Sequence, residues 1–188
     1  MLFFAVWAAL STHQSSPLPI PVSQYIKLPS RDQGIAPSPV VNRGLPARLR
    51  IPTLKIDAAI GYVGLNKAGA MDVPANVVDV GWYKHGPLPG NTGSAVIAGH
   101  VNGPRGEAGV FSHLEALQPG DSISVADGQD QITLFTVREV RTYDQDEQPN
   151  EVFNSSEGAH LNLITCAGSW DTNQRHFLKR LVVFADRL

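Results

Sequence analysis

The segment LNLITC, residues 161–166, carries the clearest fold signal in this 188-residue chain. Its side chains alternate in character, which is the period-two pattern of a β-strand. The segment ends in Cys166, the only cysteine of the chain. It therefore predicts a strand that presents one thiol at its end.

Two further apolar runs carry a reactive side chain at one end. Residues 94–100, SAVIAGH, end in His100, and residues 180–185, RLVVFA, begin in Arg180. A thiol needs a partner to act as a nucleophile at neutral pH, because its ordinary pKa of about 8.5 leaves only a small fraction ionised. We therefore expect Cys166 and His100 to meet at one site, where Arg180 stabilises the negative charge of an attacked carbonyl group.

Short apolar runs separated by Gly, Pro, Asn and Asp make up most of the chain after residue 48. Runs that fit strands include 50–56, 59–63, 122–125 and 131–140. About eight strands with few helical windows predict an all-β barrel. The best helical window, residues 110–117, predicts at most two turns packed against that barrel.

Composition excludes several functional classes. The chain has 15 Lys and Arg against 17 Asp and Glu, so it lacks the excess positive charge that nucleic-acid binding requires. A single cysteine cannot form an intramolecular disulfide and offers too few ligands for a thiolate zinc site. We expect one catalytic domain that needs no cofactor or metal and binds no nucleic acid.

The amino-terminal part differs from the remainder. Residues 1–10 are all apolar, but a spanning helix needs roughly 20 residues. We interpret them as part of a truncated membrane anchor, with a signal segment as the alternative. Residues 11–46 are rich in Pro and Ser and predict a semi-extended linker. The catalytic domain is predicted to span residues 47–188.

The three reactive motifs resemble the signatures of the sortases, which are membrane-anchored cysteine transpeptidases of bacterial cell surfaces. The motifs are AGHV at 98–101, LITC at 163–166 and RLVV at 180–183. Three further stretches resemble the class F sortases most and the class E sortases next, and they are residues 71–74, 80–83 and 117–121. The resemblance implies an eight-stranded sortase-like β-barrel with one or two short helices.

The resemblance also implies a reaction. Cys166 would attack the Thr–Gly bond of a Leu-Pro-x-Thr-Gly-like sorting signal, and a cell-wall precursor amine would resolve the thioester. His100 would be the acid and base, Arg180 would position substrate and stabilise the oxyanion, and Thr165 and Ala98 would bind substrate. The implied partners are secreted proteins with carboxy-terminal sorting signals. The implied location is the extracytoplasmic face of a bacterial plasma membrane, with the amino terminus as anchor.

Two features of the carboxy-terminal half leave alternatives open. Some class F members carry their arginine two positions earlier, where this chain has Leu178, and residues two apart on a strand share a face. Arg175, in the loop before that strand, is the reserve candidate. Residues 142–151 are acidic and loop-like, and we expect a solvated or substrate-selecting loop beside the peptide groove. Calcium binding is disfavoured there because the spacing matches no EF-hand.

Two other functions fit part of the sequence. Cysteine-dependent cross-linkers of peptidoglycan also use a Cys/His pair, but the Leu-Ile-Thr before Cys166 differs from their Ser-His-Gly-Cys type of motif. A degenerate surface barrel could bind peptide without cleaving it. The presence of Cys166, His100 and Arg180 together favours the enzyme.

Overall fold

A computed structural model describes residues 44–147, 149–173 and 176–188 of the chain. Its eight strands are β1 (Pro46–Ile51), β2 (Ile56–Val63), β3 (Val80–Tyr83), β4 (Gly93–Gly99), β5 (Ser122–Asp127), β6 (Ile132–Asp144), β7 (Ala159–Asp171) and β8 (His176–Arg187). One helix, α1, spans Asn150–Phe153, and 3₁₀ turns lie at Pro52–Leu54 and Leu114–Ala116. The predicted anchor, most of the predicted linker and Arg175 lie outside the described residues.

The strands form a closed barrel in the order β1-β2-β3-β4-β7-β8-β6-β5, which the pairing of β5 with β1 completes. The β2–β3 and β4–β7 pairs are parallel, and the other pairs are antiparallel. Closure leaves no strand of the barrel with an unpaired edge. The predicted all-β, eight-stranded barrel with short helices is confirmed.

The barrel interior is filled by alternate side chains of the strands. On β4 and β7 the inward residues are Ala95, Ile97, Leu161 and Leu163, all of them inaccessible to solvent. Burial of a large aliphatic side chain contributes about 1.5–3 kcal/mol relative to exposure. Because the side-chain period of a strand is two, the residues between these positions point outward.

The structure differs from the sequence prediction in two segments, residues 50–56 and residues 110–117. The predicted run 50–56 is interrupted, because Pro52 has no N–H for a strand ladder and begins a 3₁₀ turn. Residues 110–117 form a single 3₁₀ turn at Leu114–Ala116. Phe111, Leu114 and Leu117 nevertheless pack into the barrel core, so the predicted contact with the barrel is confirmed.

The acidic composition of the segment 142–151 predicts a loop, and this prediction is wrong at both ends. Its first three residues complete β6, where Tyr143 pairs with Arg180 of β8. Its last two residues begin α1. The ladder to β8 supplies backbone partners that outweigh the low strand propensity of the acidic residues.

Within the described ranges, no helix is both long enough and apolar enough to cross a membrane.

Candidate active site

The outer face of β4, β7 and β8 carries a second, smaller apolar cluster. Its buried members are Val96 of β4, Val182 and Phe184 of β8, and Val152 of α1. Ile164 of β7 packs against them. The outward residues of three neighbouring strands thus form a continuous apolar surface that α1 partly covers.

The side chains of His100, Cys166, Arg180 and Tyr143 form a row across one end of this outer face, which we call the active-site row. Ala98 pairs with Ile164 in parallel register, and His100 and Cys166 each lie two residues further along the chain, with His100 just after the end of β4. Cys166 pairs with Arg180 across β7 and β8, and Arg180 pairs with Tyr143 across β8 and β6. Neighbouring strands lie about 4.8 Å apart, so the paired residues Cys166, Arg180 and Tyr143 are next to one another.

The thiol of Cys166 is half-buried at the centre of this row. Burial raises the pKa of the thiol, and the positive charge of Arg180 partly opposes that increase. The resting cysteine is therefore a neutral thiol at neutral pH, and it needs a proton acceptor when it attacks a substrate.

Backbone groups of its own strand hold the guanidinium of Arg180. Nη1 donates to the carbonyl oxygens of Phe177 at 3.1 Å and Lys179 at 3.0 Å. A guanidinium has five N–H donors, and both of these bonds use the same nitrogen. Within the described residues, the donors on Nε and Nη2 are therefore left to bind an oxyanion or a substrate carbonyl.

The backbone and the ring of His100 are both held by neighbouring segments. The backbone N–H of Phe111 donates to the carbonyl oxygen of His100 at 2.9 Å. The Nε2 atom of the His100 ring lies 2.9 Å from the carbonyl oxygen of Pro74, in the β2–β3 connection. The ring is half-buried, so its orientation is defined before a substrate arrives.

The predicted substrate-binding residues lie on different faces. Ala98 points to the outer face and lies two residues before His100 of the active-site row. Thr165 is 4% exposed and points into the barrel, on the opposite side of β7 from Cys166. Leu178 shares the outer face with Arg180 and is 45% exposed. The roles assigned to these residues stay predictions.

Polar contacts fix α1 across the outer face, and sequence reasoning missed them. Oε1 of Glu151 accepts hydrogen bonds from Oη of Tyr143 at 2.5 Å and Nη1 of Arg141 at 2.7 Å. The Tyr143 hydroxyl, with help from Arg141, holds the pKa of Glu151 below its usual range. Nδ2 of the buried Asn162 donates to the carbonyl oxygen of Val152 at 2.7 Å. These bonds make α1 a fixed wall beside the row.

No group of three or more His, Cys, Asp or Glu side chains among the described residues is arranged to hold a metal ion. The site consists of a thiol, an imidazole and a guanidinium, which is a set suited to nucleophilic attack on a carbonyl carbon.

The comparison with family models settles the family, since the sortase domain model matches residues 49–188. The chain belongs to the sortase family. The match includes all three residues that the sequence singled out, Cys166, His100 and Arg180. Assignment to class F or class E stays a prediction.

Solved sortases share this fold. Sortase C-1 from Actinomyces oris is 22% identical, with a TM-score of 0.61 over 76% of this chain and 73% of that one. Sortase C from Clostridium perfringens SM101 is 20% identical, with a TM-score of 0.56 over 78% and 71%. Sortase A from Corynebacterium diphtheriae is 23% identical, with a TM-score of 0.57 over 78% and 61%. The comparison with curated proteins found no match.

Proposed function

We propose that this sortase is a cysteine transpeptidase that cleaves a Leu-Pro-x-Thr-Gly-like sorting signal between Thr and Gly and transfers the new carboxyl group to an amine. The observation that supports the proposal is the strand register, in which Cys166 pairs with Arg180 and His100 follows directly after β4, two residues beyond the Ala98–Ile164 pair. Their chemistry matches the three needs of acyl transfer, which are a nucleophile, a proton carrier and an oxyanion partner.

In the first half of the reaction, the proton of the Cys166 thiol passes to His100 and the sulfur attacks the threonine carbonyl carbon. Arg180 donates hydrogen bonds to the oxygen as it becomes negative. The C–N bond then breaks, and the departing glycine amine takes the proton from His100. The product is a thioester between Cys166 and the threonine carbonyl group.

In the second half, an amine attacks the thioester carbon and gives a proton to His100. The C–S bond breaks, and the thiolate recovers that proton. We infer that the acceptor is a cell-wall precursor amine and that the substrates are secreted proteins with carboxy-terminal sorting signals. A location at the extracytoplasmic face of a bacterial plasma membrane is consistent with the apolar residues 1–10, which alone support the anchor.

The outer apolar cluster supports a peptide substrate. An extended peptide that crosses the row would lie over Ala98, Ile164 and Val182, one step away from the reactive residues. Of these side chains, the half-buried Ile164 offers an apolar contact for leucine or proline, and α1 limits the groove on one side.

A transfer assay tests the proposal. The full chain is incubated with Leu-Pro-x-Thr-Gly and Leu-Ala-x-Thr-Gly peptides and triglycine, and the products are identified by mass spectrometry. We expect the triglycine adduct of the threonine carboxyl group, and we expect none from Cys166→Ala. Ser169→Ala, an exposed change on the same strand, is the matched control and should retain activity.

Two results would contradict the proposal. One is transfer by the Cys166→Ala variant, which would exclude Cys166 as the nucleophile. The other is no transfer or cleavage of any peptide by a folded chain whose thiol reacts with iodoacetamide, which would favour a barrel that binds peptide without cleaving it.

A further inference from the structure

The hydrogen bond between His100 and Pro74 defines which ring nitrogen can exchange a proton. Nε2 of His100 lies 2.9 Å from the carbonyl oxygen of Pro74. A carbonyl oxygen only accepts hydrogen bonds, so Nε2 must carry a hydrogen to make this contact. In the neutral imidazole Nδ1 is then unprotonated, and it is the nitrogen able to take up a proton.

Two backbone hydrogen bonds hold the segment that presents this carbonyl. On one side of Pro74, the N–H of Asp72 donates to the carbonyl oxygen of Gly64 at 2.9 Å. On the other side, the N–H of Val110 donates to the carbonyl oxygen of Val77 at 2.7 Å. Pro74 therefore lies in a short span that is fixed at both ends.

The ring of Pro74 is buried against Gly81 of β3, which has no side chain. A Cβ atom on Gly81 would lie 3.4 Å from Cγ of Pro74 and 2.7 Å from Cγ1 of Val63. Gly81 pairs with Ala98, two residues before His100. The absence of a side chain at Gly81 thus lets Pro74 approach the sheet beside the histidine.

We infer that Pro74 is a positioning residue whose carbonyl group holds His100 with its hydrogen on Nε2, so that Nδ1 exchanges the proton with Cys166 and the substrate amine. The inference rests on the proposed function for its catalytic part. The thiol proton moves to Nδ1, the departing amine takes it as the C–N bond breaks, and the other hydrogen stays on Nε2, donated to the carbonyl oxygen of Pro74 throughout. The aspartate of a Ser-His-Asp triad accepts a hydrogen bond from the imidazole and orients it. The carbonyl oxygen of Pro74 has the same role here, but it is a neutral acceptor.

The tautomer is measured directly by ¹⁵N NMR of the full chain labelled in histidine. The chain has six histidines, and the His100→Gln spectrum identifies the His100 signals by their loss. We expect neutral His100 to carry its hydrogen on Nε2. A neutral His100 with its hydrogen on Nδ1 would overturn the inference, whether or not the enzyme transfers peptides.

Variants of the connection test the catalytic part. Pro74→Gly frees the backbone around the carbonyl, and we expect a mixture of the two tautomers. The loss of one orienting hydrogen bond should lower kcat about five- to tenfold and leave KM unchanged. Val78→Ala, an exposed change in the same connection, is the matched control and should alter neither the spectrum nor kcat.

The outcomes separate this inference from the proposed function. A Pro74→Gly spectrum equal to the wild-type spectrum, or a variant that raises KM alone, would overturn the positioning role while peptide transfer still stands. Conversely, the expected wild-type tautomer without any thioester on Cys166 would leave the Pro74 contact in place and refute the transpeptidase assignment.

Discussion

Gly99, the last residue of β4, has no room for a side chain, and this gives a quantitative test of how His100 is held. A Cβ atom there would lie 2.5 Å from Cδ2 of Phe111 and 2.8 Å from Cγ1 of Val110. Phe111 is inaccessible to solvent, and its N–H holds the His100 carbonyl oxygen at 2.9 Å. The change Gly99→Ala therefore pushes on the same residue that fixes the histidine backbone.

The expected cost follows from the contact distance. Carbon atoms pack at about 3.5–4.0 Å, so the Phe111 ring must move by roughly 1 Å to accept the methyl group. Overpacking of this kind costs about 1–3 kcal/mol of folding free energy. The shift also moves His100, and a misplacement of about 1 Å can lower the rate of catalysis about 100-fold.

A double-mutant cycle isolates the contact. Phe111→Leu alone removes part of a buried ring and should cost roughly 1–3 kcal/mol. In the Gly99→Ala background the smaller side chain also relieves the overlap. The double variant should therefore lose about 1–2 kcal/mol less folding free energy than the sum of the two single variants. Urea unfolding of the full chain measures all four free energies, with unchanged m-values as the check on two-state behaviour.

Additive costs in this cycle would refute the reasoning. A stable Gly99→Ala variant with wild-type activity would show that Phe111 does not pack against β4 as described, and that the position of His100 does not depend on this contact.

Three further changes have defined outcomes. Arg180→Gln removes the cation that opposes the effect of burial on the Cys166 thiol, so the pKa of that thiol should rise further. The reaction of the thiol with iodoacetamide should then shift to higher pH, and an unchanged pH profile of this reaction would contradict the prediction. Asn162→Ala leaves the Val152 carbonyl without its donor and should cost about 1–3 kcal/mol in urea unfolding, whereas a neutral result means that other contacts hold α1. Phe135→Ala, at a fully buried position, should cost about 3–5 kcal/mol, and a loss below about 1 kcal/mol would contradict its place in the core.

The reactive residues were predictable from the sequence because each lies at the end of an apolar run. A period-two pattern predicted the strand of Cys166, and an apolar run predicted the strand of Arg180. The predicted position of both residues at strand ends is wrong, because the ladder between β7 and β8 continues to Asp171 and His176. The register of the strands was not predictable. The parallel pairing of β4 with β7 joins residues 66 positions apart, and no local pattern encodes which strands become neighbours.

Other parts of the site could not be placed from the sequence. The resemblance implies a substrate-binding role for Thr165, which stays a prediction; adjacent residues of a strand point to opposite faces, and Thr165 is buried in the barrel. The acidic residues after Tyr143 predict a loop, whereas Tyr143 lies in β6. The Pro74 contact uses a backbone carbonyl, which every residue has, so its only sequence signal was the resemblance of 71–74 to the family.

The most direct test of the central claim is the intact mass of the full chain after brief incubation with a Leu-Pro-x-Thr-Gly peptide in the absence of an acceptor amine. We predict an increase equal to the acyl part of the peptide ending in threonine, located on Cys166 by fragmentation and removed by hydroxylamine. An unchanged mass with every peptide offered, in a folded chain with a reactive thiol, would contradict the assignment of Cys166 as the nucleophile of a transpeptidase.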